Sequence, residues 1–272
     1  MLEEKIGVIG TGKIGSAILS GVVRSGLVDK DQVIGSDPRE SVRQAIFEEI
    51  GVKLTAGNDE TCDFADILIL AVKPDMVQAA LEPVAQKIGK TKLLVSIAAG
   101  VPTKKIEACL DRGARVVRVM TNTPLVVGEA ASVYASGSHA TQGDLGKVEM
   151  ILKTLGLALP LEERYLDAVT GLSGSGPAYV FLFIESLTDG GVEGGLSRDV
   201  ALKLALQTVF GSAKMALESS KPLGQLRDDV TSPGGTTMEG LRALENGKFQ
   251  GTIMDAVLQA THRSQALGKG ES

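Results

Sequence analysis

Through its first 160 residues the chain alternates short apolar, β-rich runs with longer stretches in which apolar positions recur every three or four residues. Residues 6–9, 32–34, 52–54, 67–71, 93–95 and 115–119 read as strands, and helical periods separate most of them. Alternation of this kind marks a parallel sheet covered by helices on both faces. The unbroken apolar run at 67–72 suits a strand with no solvent face. Beyond Met120 the pattern loosens into a strand at 131–135, a helix over 142–155 and a last strand near 157–161.

After Pro160 the strand signals stop, and helical periods follow at 177–187, 198–219 and 252–267. The predicted architecture is α/β: a doubly wound, mostly parallel sheet in residues 1–160, then an all-helical domain in 161–272, with no long flexible linker. The stretch 177–184 is apolar around nearly its whole circumference, and a helix of that kind must be buried. A helical part this small is expected to bury it against a second copy of the chain. The alternative is a central helix within one monomer.

Composition narrows the chemistry. The 272 residues suffice for two domains without disulfides. Cys62 and Cys109 are far apart and lack metal-ligand spacing, so they read as buried thiols in a reducing compartment. With His139 and His262 as the two histidines, neither a histidine zinc site nor a Ser-His-Asp triad is expected, and no metal site is assigned. A net charge of -5, 3% aromatic residues and no Trp argue against a nucleic-acid partner. Met1-Leu2-Glu3-Glu4-Lys5 leads straight into a strand, which leaves no room for a signal peptide, and no apolar run approaches the ~18 residues of a membrane span. The chain therefore reads as soluble and cytoplasmic, with no membrane partner. Its 33 glycines follow no collagen-like period and point to loops that depend on backbone freedom.

The first strand runs into Gly10-Thr11-Gly12-Lys13-Ile14-Gly15, a G-x-G-x-x-G series, and a helical period follows at 16–24. In such a series the first glycine permits a tight turn, the second lets backbone approach a pyrophosphate, and the third allows close helix–strand packing. Amides at the helix N-terminus then face the anion. A strand before and a helix after make this a dinucleotide site in a Rossmann-type sheet. The second strand ends in Gly35-Ser36-Asp37-Pro38-Arg39. An acidic residue there would take the ribose hydroxyls of NAD, whereas a hydroxyl with an arginine would receive the 2′-phosphate of NADP. Both are present. Capping of the next helix by Asp37, with Pro38 at its first position, is a purely structural alternative. It leaves Arg39 unexplained, so NADPH is the favoured cofactor and NADH stays open.

Ala71-Val72-Lys73-Pro74 follows the fourth strand and Ser96-Ile97-Ala98-Ala99-Gly100 the fifth, at the carboxyl ends where open sheets bind ligands. Small residues in the second segment would let a flat nicotinamide lie against backbone. Lys73 either contacts the cofactor or is an ordinary solvated lysine. Farther on, residues 228–237 read Asp-Asp-Val-Thr-Ser-Pro-Gly-Gly-Thr-Thr and lead into a helical period at 238–244. Free amides and hydroxyls clustered before a helix make a good carboxylate receptor, without a general base or metal ligand. Ser232 as a helix N-cap with Pro233 behind it is the competing structural reading.

The string VTSPGGTT at 230–237, together with AVKP at 71–74, SIAAG at 96–100, RVMTNTP at 118–124 and AVTGLSGSGPAYVF at 168–181, resembles the pyrroline-5-carboxylate reductases over essentially the whole chain. The resemblance implies reduction of 1-pyrroline-5-carboxylate to proline, the last step of proline biosynthesis, by hydride transfer from NADPH or NADH to the cyclic imine carbon. It implies Ile9, Gly10, Thr11, Gly12, Lys13, Ile14 and Gly15 at the pyrophosphate, Ser36 at the 2′-phosphate and Asn58 on the adenosine side. Ala71, Val72, Lys73, Pro74, Ile97, Ala98 and Ala99 would flank the ribose and nicotinamide. Ser232, Gly235, Thr236 and Thr237 would hold the substrate carboxylate, and Thr237, the residue expected to act in catalysis, would reach the ring nitrogen. Family members build the site between two chains, with Asp229 matching a position near the partner's cofactor; at least a homodimer through the helical domain is implied, and a larger ring such as a decamer is open.

Two readings compete with this one. The first is a reductase of another imine, or a β-hydroxyacid-type dehydrogenase with a catalytic lysine on a core helix, although Lys203 and Lys214 read as solvated. The second is a nucleotide-sensing protein without turnover.

Overall fold

The computed structural model describes residues 1–269. Strands β1 (Ile6–Ile9), β2 (Val33–Ser36), β3 (Lys53–Thr55), β4 (Ile67–Leu70), β5 (Leu93–Ser96), β6 (Arg115–Met120), β7 (Ala130–Ser136) and β8 (Gly156–Pro160) form one sheet, ordered β3-β2-β1-β4-β5-β6-β7-β8. Strands β1 to β6 pair in parallel, β7 runs antiparallel to β6, and β8 lies parallel to β7. Each strand read from the apolar runs is present. Helices α1 (Lys13–Arg24), α2 (Glu40–Ile50), α3 (Asn58–Phe64), α4 (Val77–Leu81), α5 (Ala85–Ile88), α6 (Thr103–Glu107) and α7 (Gln142–Lys153) connect or flank them.

Successive strand residues point to opposite faces, and here both faces are apolar. Ile67 and Ile69 of β4 join Ile6, Val8, Ile18 and Leu19 on one side, while Leu68 and Leu70 join Ile9, Leu81, Ile88 and Leu94 on the other. Every residue of β1, β2, β4 and β5 is consequently buried. Strand β1 lies between β2 and β4, so the strand order reverses there and opens a crevice at the carboxyl ends.

Helices α8 (Leu166–Val169), α9 (Gly176–Glu193), α10 (Arg198–Glu218), α11 (Leu223–Asp229), α12 (Thr236–Asn246) and α13 (Phe249–Lys269) follow, with a π-helical turn at Thr170–Gly174 after α8. The chain divides into two units: Met1–Ser175 with the stretch from Gln259 onward, and Gly176–Leu258. The division read from sequence, at residue 160, marks the last strand; the contact boundary lies after Ser175. Glu163 is hydrogen-bonded to Thr103 and Arg118, and Leu166 packs with Met120, Val133 and Ala135, which keeps this stretch with the sheet. From α13, Ser264 donates to Asp167 at 2.7 Å.

Helix α10 is long and apolar enough to cross a membrane by length and composition, a test that no segment was expected to pass. The apolar run is broken by Lys203 and Lys214, yet two charges in such a window leave it hydrophobic on average. Its buried residues within the chain are Ala201 and Ala205.

Candidate active site

Three glycines after β1 have separable jobs. Gly10 has φ +88°, and a Cβ there would lie 2.8 Å from the Ala71 carbonyl oxygen. A Cβ on Gly15 would sit 2.1 Å from the Gly10 carbonyl oxygen. The protein's own packing therefore demands both. A Cβ on Gly12 would meet nothing within 4 Å. Gly12 is the N-cap of α1; no side chain caps that end, its first turn carries no acidic residue, and Lys13 begins the helix. Uncapped amides, a positive helix end and open space above Gly12 are what an approaching pyrophosphate requires. The residues present thus fit a dinucleotide.

At the end of β2, Ser36 is the last strand residue and is buried. Its hydroxyl donates to Asn58 Oδ1 at 2.8 Å, and Asn58 Nδ2 donates to the Ala80 carbonyl at 3.1 Å, so these two sequence-identified residues meet. Asp37 follows, 3% exposed. Its carboxylate accepts from the Arg39 backbone N–H at 3.0 Å, from Arg39 Nε and Nη2 at 2.9 Å each, and from the Thr11 hydroxyl at 3.4 Å. The Arg39 guanidinium holds this carboxyl below its ordinary range, against the opposing effect of burial. Helix α2 starts at Glu40 with Arg39 as its N-cap, so Asp37 does not cap it. The side chain closes a turn instead.

The ends of β4 and β5 complete this edge. Ala71 N–H donates to the Ile9 carbonyl at 2.8 Å, and Ile97 N–H to the Leu70 carbonyl at 3.1 Å, which extends the sheet by one step at each end. Ala98 is buried, Ala99 and Lys73 are exposed, and Pro74 opens a short 3-10 turn. Residues 9–15, Ser36, Asn58, 71–74 and 97–99 therefore lie at the carboxyl ends of β1 to β5, around the point where the strand order reverses.

The hydroxyl-rich loop belongs to the second unit. Gly234 has φ +69°, and Gly235 N–H donates to the Ser232 carbonyl at 3.0 Å. The N-cap of α12 is Gly235, so the alternative that made Ser232 the cap does not hold. Ser232 lies back over Gly235, where a Cβ would fall 2.3 Å from its Oγ. Thr236 and Thr237 occupy the first turn of α12, which no side chain caps. Ser232 and Thr236 are exposed and Thr237 is half-buried. Asp229 accepts from Lys221 Nζ at 2.7 Å and Gln225 Nε2 at 3.0 Å, and the lysine holds its carboxyl below the usual range. Lys203 and Lys214 form exposed pairs with Asp199 and Glu218.

Residues 163–267 match the family model described as pyrroline-5-carboxylate reductase dimerisation, and residues 5–100 match NADP oxidoreductase coenzyme F420-dependent. The pyrroline-5-carboxylate reductase of Glycine max is 45% identical over 262 residues, 96% of this chain and 95% of that one. The chain belongs to the pyrroline-5-carboxylate reductase family. The Methanosarcina acetivorans pyrroline-5-carboxylate reductase is likewise 45% identical, over 99% of this chain and 100% of its own. Among solved structures, Plasmodium falciparum pyrroline carboxylate reductase with NADP bound superposes with TM-score 0.88 at 36% identity, covering 98% of this chain and 99% of that one. The Coxiella burnetii pyrroline-5-carboxylate reductase gives TM-score 0.93 at 33% identity, with the same coverage. The dimerisation match supports self-association of the chain.

Two side chains of this reductase were not singled out from its sequence. Glu163 accepts from Thr103 N–H at 2.7 Å, Thr103 Oγ1 at 2.6 Å and the buried Arg118 Nη1 at 3.2 Å, fixing the start of α6 where the loop after β5 ends. Asn122 accepts from Ala131 N–H at 3.0 Å and donates to the Ser173 carbonyl at 3.1 Å, tying the end of β6 to the π-helical turn. Asn122 and Arg118 lie in the quoted RVMTNTP string. Glu163 gave no local signal, because its partners are 45 and 60 residues away.

Proposed function

We propose that this chain reduces 1-pyrroline-5-carboxylate to L-proline with NADPH, and that NADH also serves. The near-full-length identity to proteins named pyrroline-5-carboxylate reductase carries this reading, and the open Gly12 with its uncapped helix agrees with it. A bound nicotinamide cofactor supplies the hydride.

The chain's own residues bind and orient. The glycine loop and the α1 amides receive the pyrophosphate, with Lys13 adding positive charge. Ser36 serves the 2′-phosphate and Asn58 the adenosine side, while Ala71–Pro74 and Ile97–Ala99 flank ribose and nicotinamide. Ser232, Gly235 and Thr236 hold the substrate carboxylate with amides and hydroxyls. The Thr237 hydroxyl holds the ring nitrogen, accepting from the protonated imine and then steadying the product amine. A protonated cyclic imine is already electrophilic, so no strong acid is required. Holding the reacting carbons about 3 to 3.5 Å apart can account for roughly 7 to 11 kcal/mol of barrier lowering.

Two copies associate through the helical region, a decameric ring being the larger assembly open to it, and the enzyme works in the cytoplasm without nucleic-acid or membrane partners. The test follows oxidation of NADPH and NADH with pyrroline-5-carboxylate and, in parallel, with acyclic imines. Turnover with the cyclic substrate is expected. Oxidation of neither cofactor overturns the reading, and equal rates with acyclic imines overturn the substrate assignment.

A further inference from the structure

From α5 to the start of β6 the cations fall into two sets. Lys87 is paired with Asp59 and Asp63, Lys92 donates to the Ala65 carbonyl at 2.6 Å, and Arg115 is bonded to Asp144 and to the Thr91 carbonyl. Lys90, Lys104, Lys105 and Arg112 are exposed and, among the described residues, make no ion pair or hydrogen bond through their side chains. Lys105 faces a cavity beside Gly100. The other three line a separate cavity of about 570 Å³ together with His139, and its apolar lining is Ala108, Leu110 and Ala114.

Local geometry brings these groups together. Gly113 has φ +91°, and a Cβ there would lie 2.7 Å from Lys90 Cε, so the lysine stem runs across the space a side chain would fill. Glu107 accepts from the Ser138 N–H at 2.6 Å and the Ser138 hydroxyl at 2.8 Å, which holds the turn after β7, and His139 with it, against α6. Of the two lining carboxylates, Glu107 is therefore committed, while Asp111 is exposed. Cations still outnumber carboxylates, in a chain whose net charge is -5. Lys90 precedes β5, Arg112 precedes β6 and His139 follows the antiparallel β7, so the cavity lies at the amino ends of β5 and β6. Residues 9–15, 71–74 and 97–99 occupy the opposite edge of the sheet.

We propose that this cavity is a second anion site, which takes a phosphorylated small molecule and is separate from the dinucleotide crevice. One guanidinium would saturate a carboxylate; a planar guanidinium with two further ammonium groups offers donors enough for the three terminal oxygens of a phosphoryl group. The cavity exceeds the size of that group and falls within the range of small-molecule pockets. Its apolar lining faces the body of the ligand, and Asp111 accepts from a ligand hydroxyl. The site does not depend on the proposed reaction.

Calorimetric titration of ADP and of pyrophosphate tests it, with NADPH kept saturating so that the dinucleotide crevice is filled. Both probes should bind the unmodified protein. Tighter ADP means that the apolar lining receives a nucleotide-like body, and equal affinities mean that the phosphoryl group alone is read. Lys104→Ala and Arg112→Ala should each weaken binding by about fivefold, the upper range for one exposed charge pair, and the double variant by about twentyfold. Lys30→Ala removes an exposed cation ahead of β2 and should leave both affinities unchanged. Binding of neither probe overturns the proposal. So does binding that the double variant keeps at full strength, or that Lys30→Ala weakens as much, because the anion then follows net charge rather than this cavity.

Discussion

The two units hold equally apolar sequences and dispose of them in opposite ways. In the sheet unit, β1, β2, β4 and β5 bury every residue against helices of the same chain. In α9, two of eighteen residues, Ile184 and Thr188, are buried; Phe181 and Leu182 stand 62% and 63% exposed. Helix α10 repeats this, with Leu204 55% and Phe210 62% exposed. Patches of that extent on a single chain mark interaction surfaces. The central strands are finished within one chain, and the exposed apolar faces of α9 and α10 are built for completion by another, in keeping with the dimerisation match at 163–267.

The strongest way to break this contrast is to place a charge on the unfinished side. Phe181→Asp should abolish the dimer and, with it, turnover, because an unpaired charge buried at an interface costs about 3 to 5 kcal/mol or more. The sheet unit should keep its fold and still bind dinucleotide. Sedimentation velocity and a nucleotide titration read the two halves separately. A fully dimeric Phe181→Asp protein would move the interface elsewhere.

Within the sheet unit the contrast recurs on the scale of one loop. Gly15→Ala forces a carbon toward the Gly10 carbonyl and should cost about 3 kcal/mol of stability, the upper range for overpacking. Gly12→Ala meets no protein atom and should leave the melting temperature within a degree or two of the original. It should instead weaken dinucleotide binding by about tenfold or more, since the new methyl occupies the space a pyrophosphate needs. Two alanines three residues apart would thus separate folding from binding. Equal melting curves for both variants would contradict the loop geometry.

How far the sequence revealed these features depended on how local their causes are. The strands were readable because burial on both faces writes itself into consecutive apolar residues such as 67–70. The glycine series was readable because its spacing is set by one turn. The division after Ser175 was not, because Glu163 and Leu166 are held to the sheet by partners far away in sequence. The partner of Asp37 was equally hidden. The order of residues placed Arg39 near it, yet the bidentate contact that offsets its charge is a matter of rotamer and turn geometry. The same limit applies to the competing reading of Ser232 as a cap: its hydroxyl lies over Gly235, and Gly235 itself caps the helix that begins at Thr236.

A smaller effect tests the helical unit's own loop. Thr237→Ala should lower kcat/KM by an amount equivalent to about 1 to 3 kcal/mol, the usual result of removing one partner from a polar contact. Thr237→Ser keeps the hydroxyl and should recover most of the loss. Dimer stability and 2′,5′-ADP affinity should not change in either variant. An unaltered kcat/KM for Thr237→Ala would remove this residue from the mechanism and leave the carboxylate contacts to Ser232, Gly235 and Thr236.

The smallest effect sets one carboxylate of each unit against the other in acid. Asp37 and Asp229 are both held below their ordinary value of 3.8, by Arg39 and Lys221 respectively, but Asp37 is buried and Asp229 lies in an exposed pair. A depressed carboxyl contributes stability that is fully present above its unfolded value and is lost as pH falls through the lower folded value. Protection from Asp37 should therefore hold at neutral pH and drain away below about pH 4. Arg39→Ala should lower the melting temperature at pH 7, and its melting curve should converge on that of the unmodified protein as the Asp37 carboxyl protonates. Lys221→Ala should show a weaker version that 0.5 M salt erases, because exposed pairs are screened. Melting temperatures between pH 3 and 7, with and without salt, measure both. A gap for Arg39→Ala that widened toward low pH would reverse the sign and show that burial, rather than the guanidinium, governs Asp37.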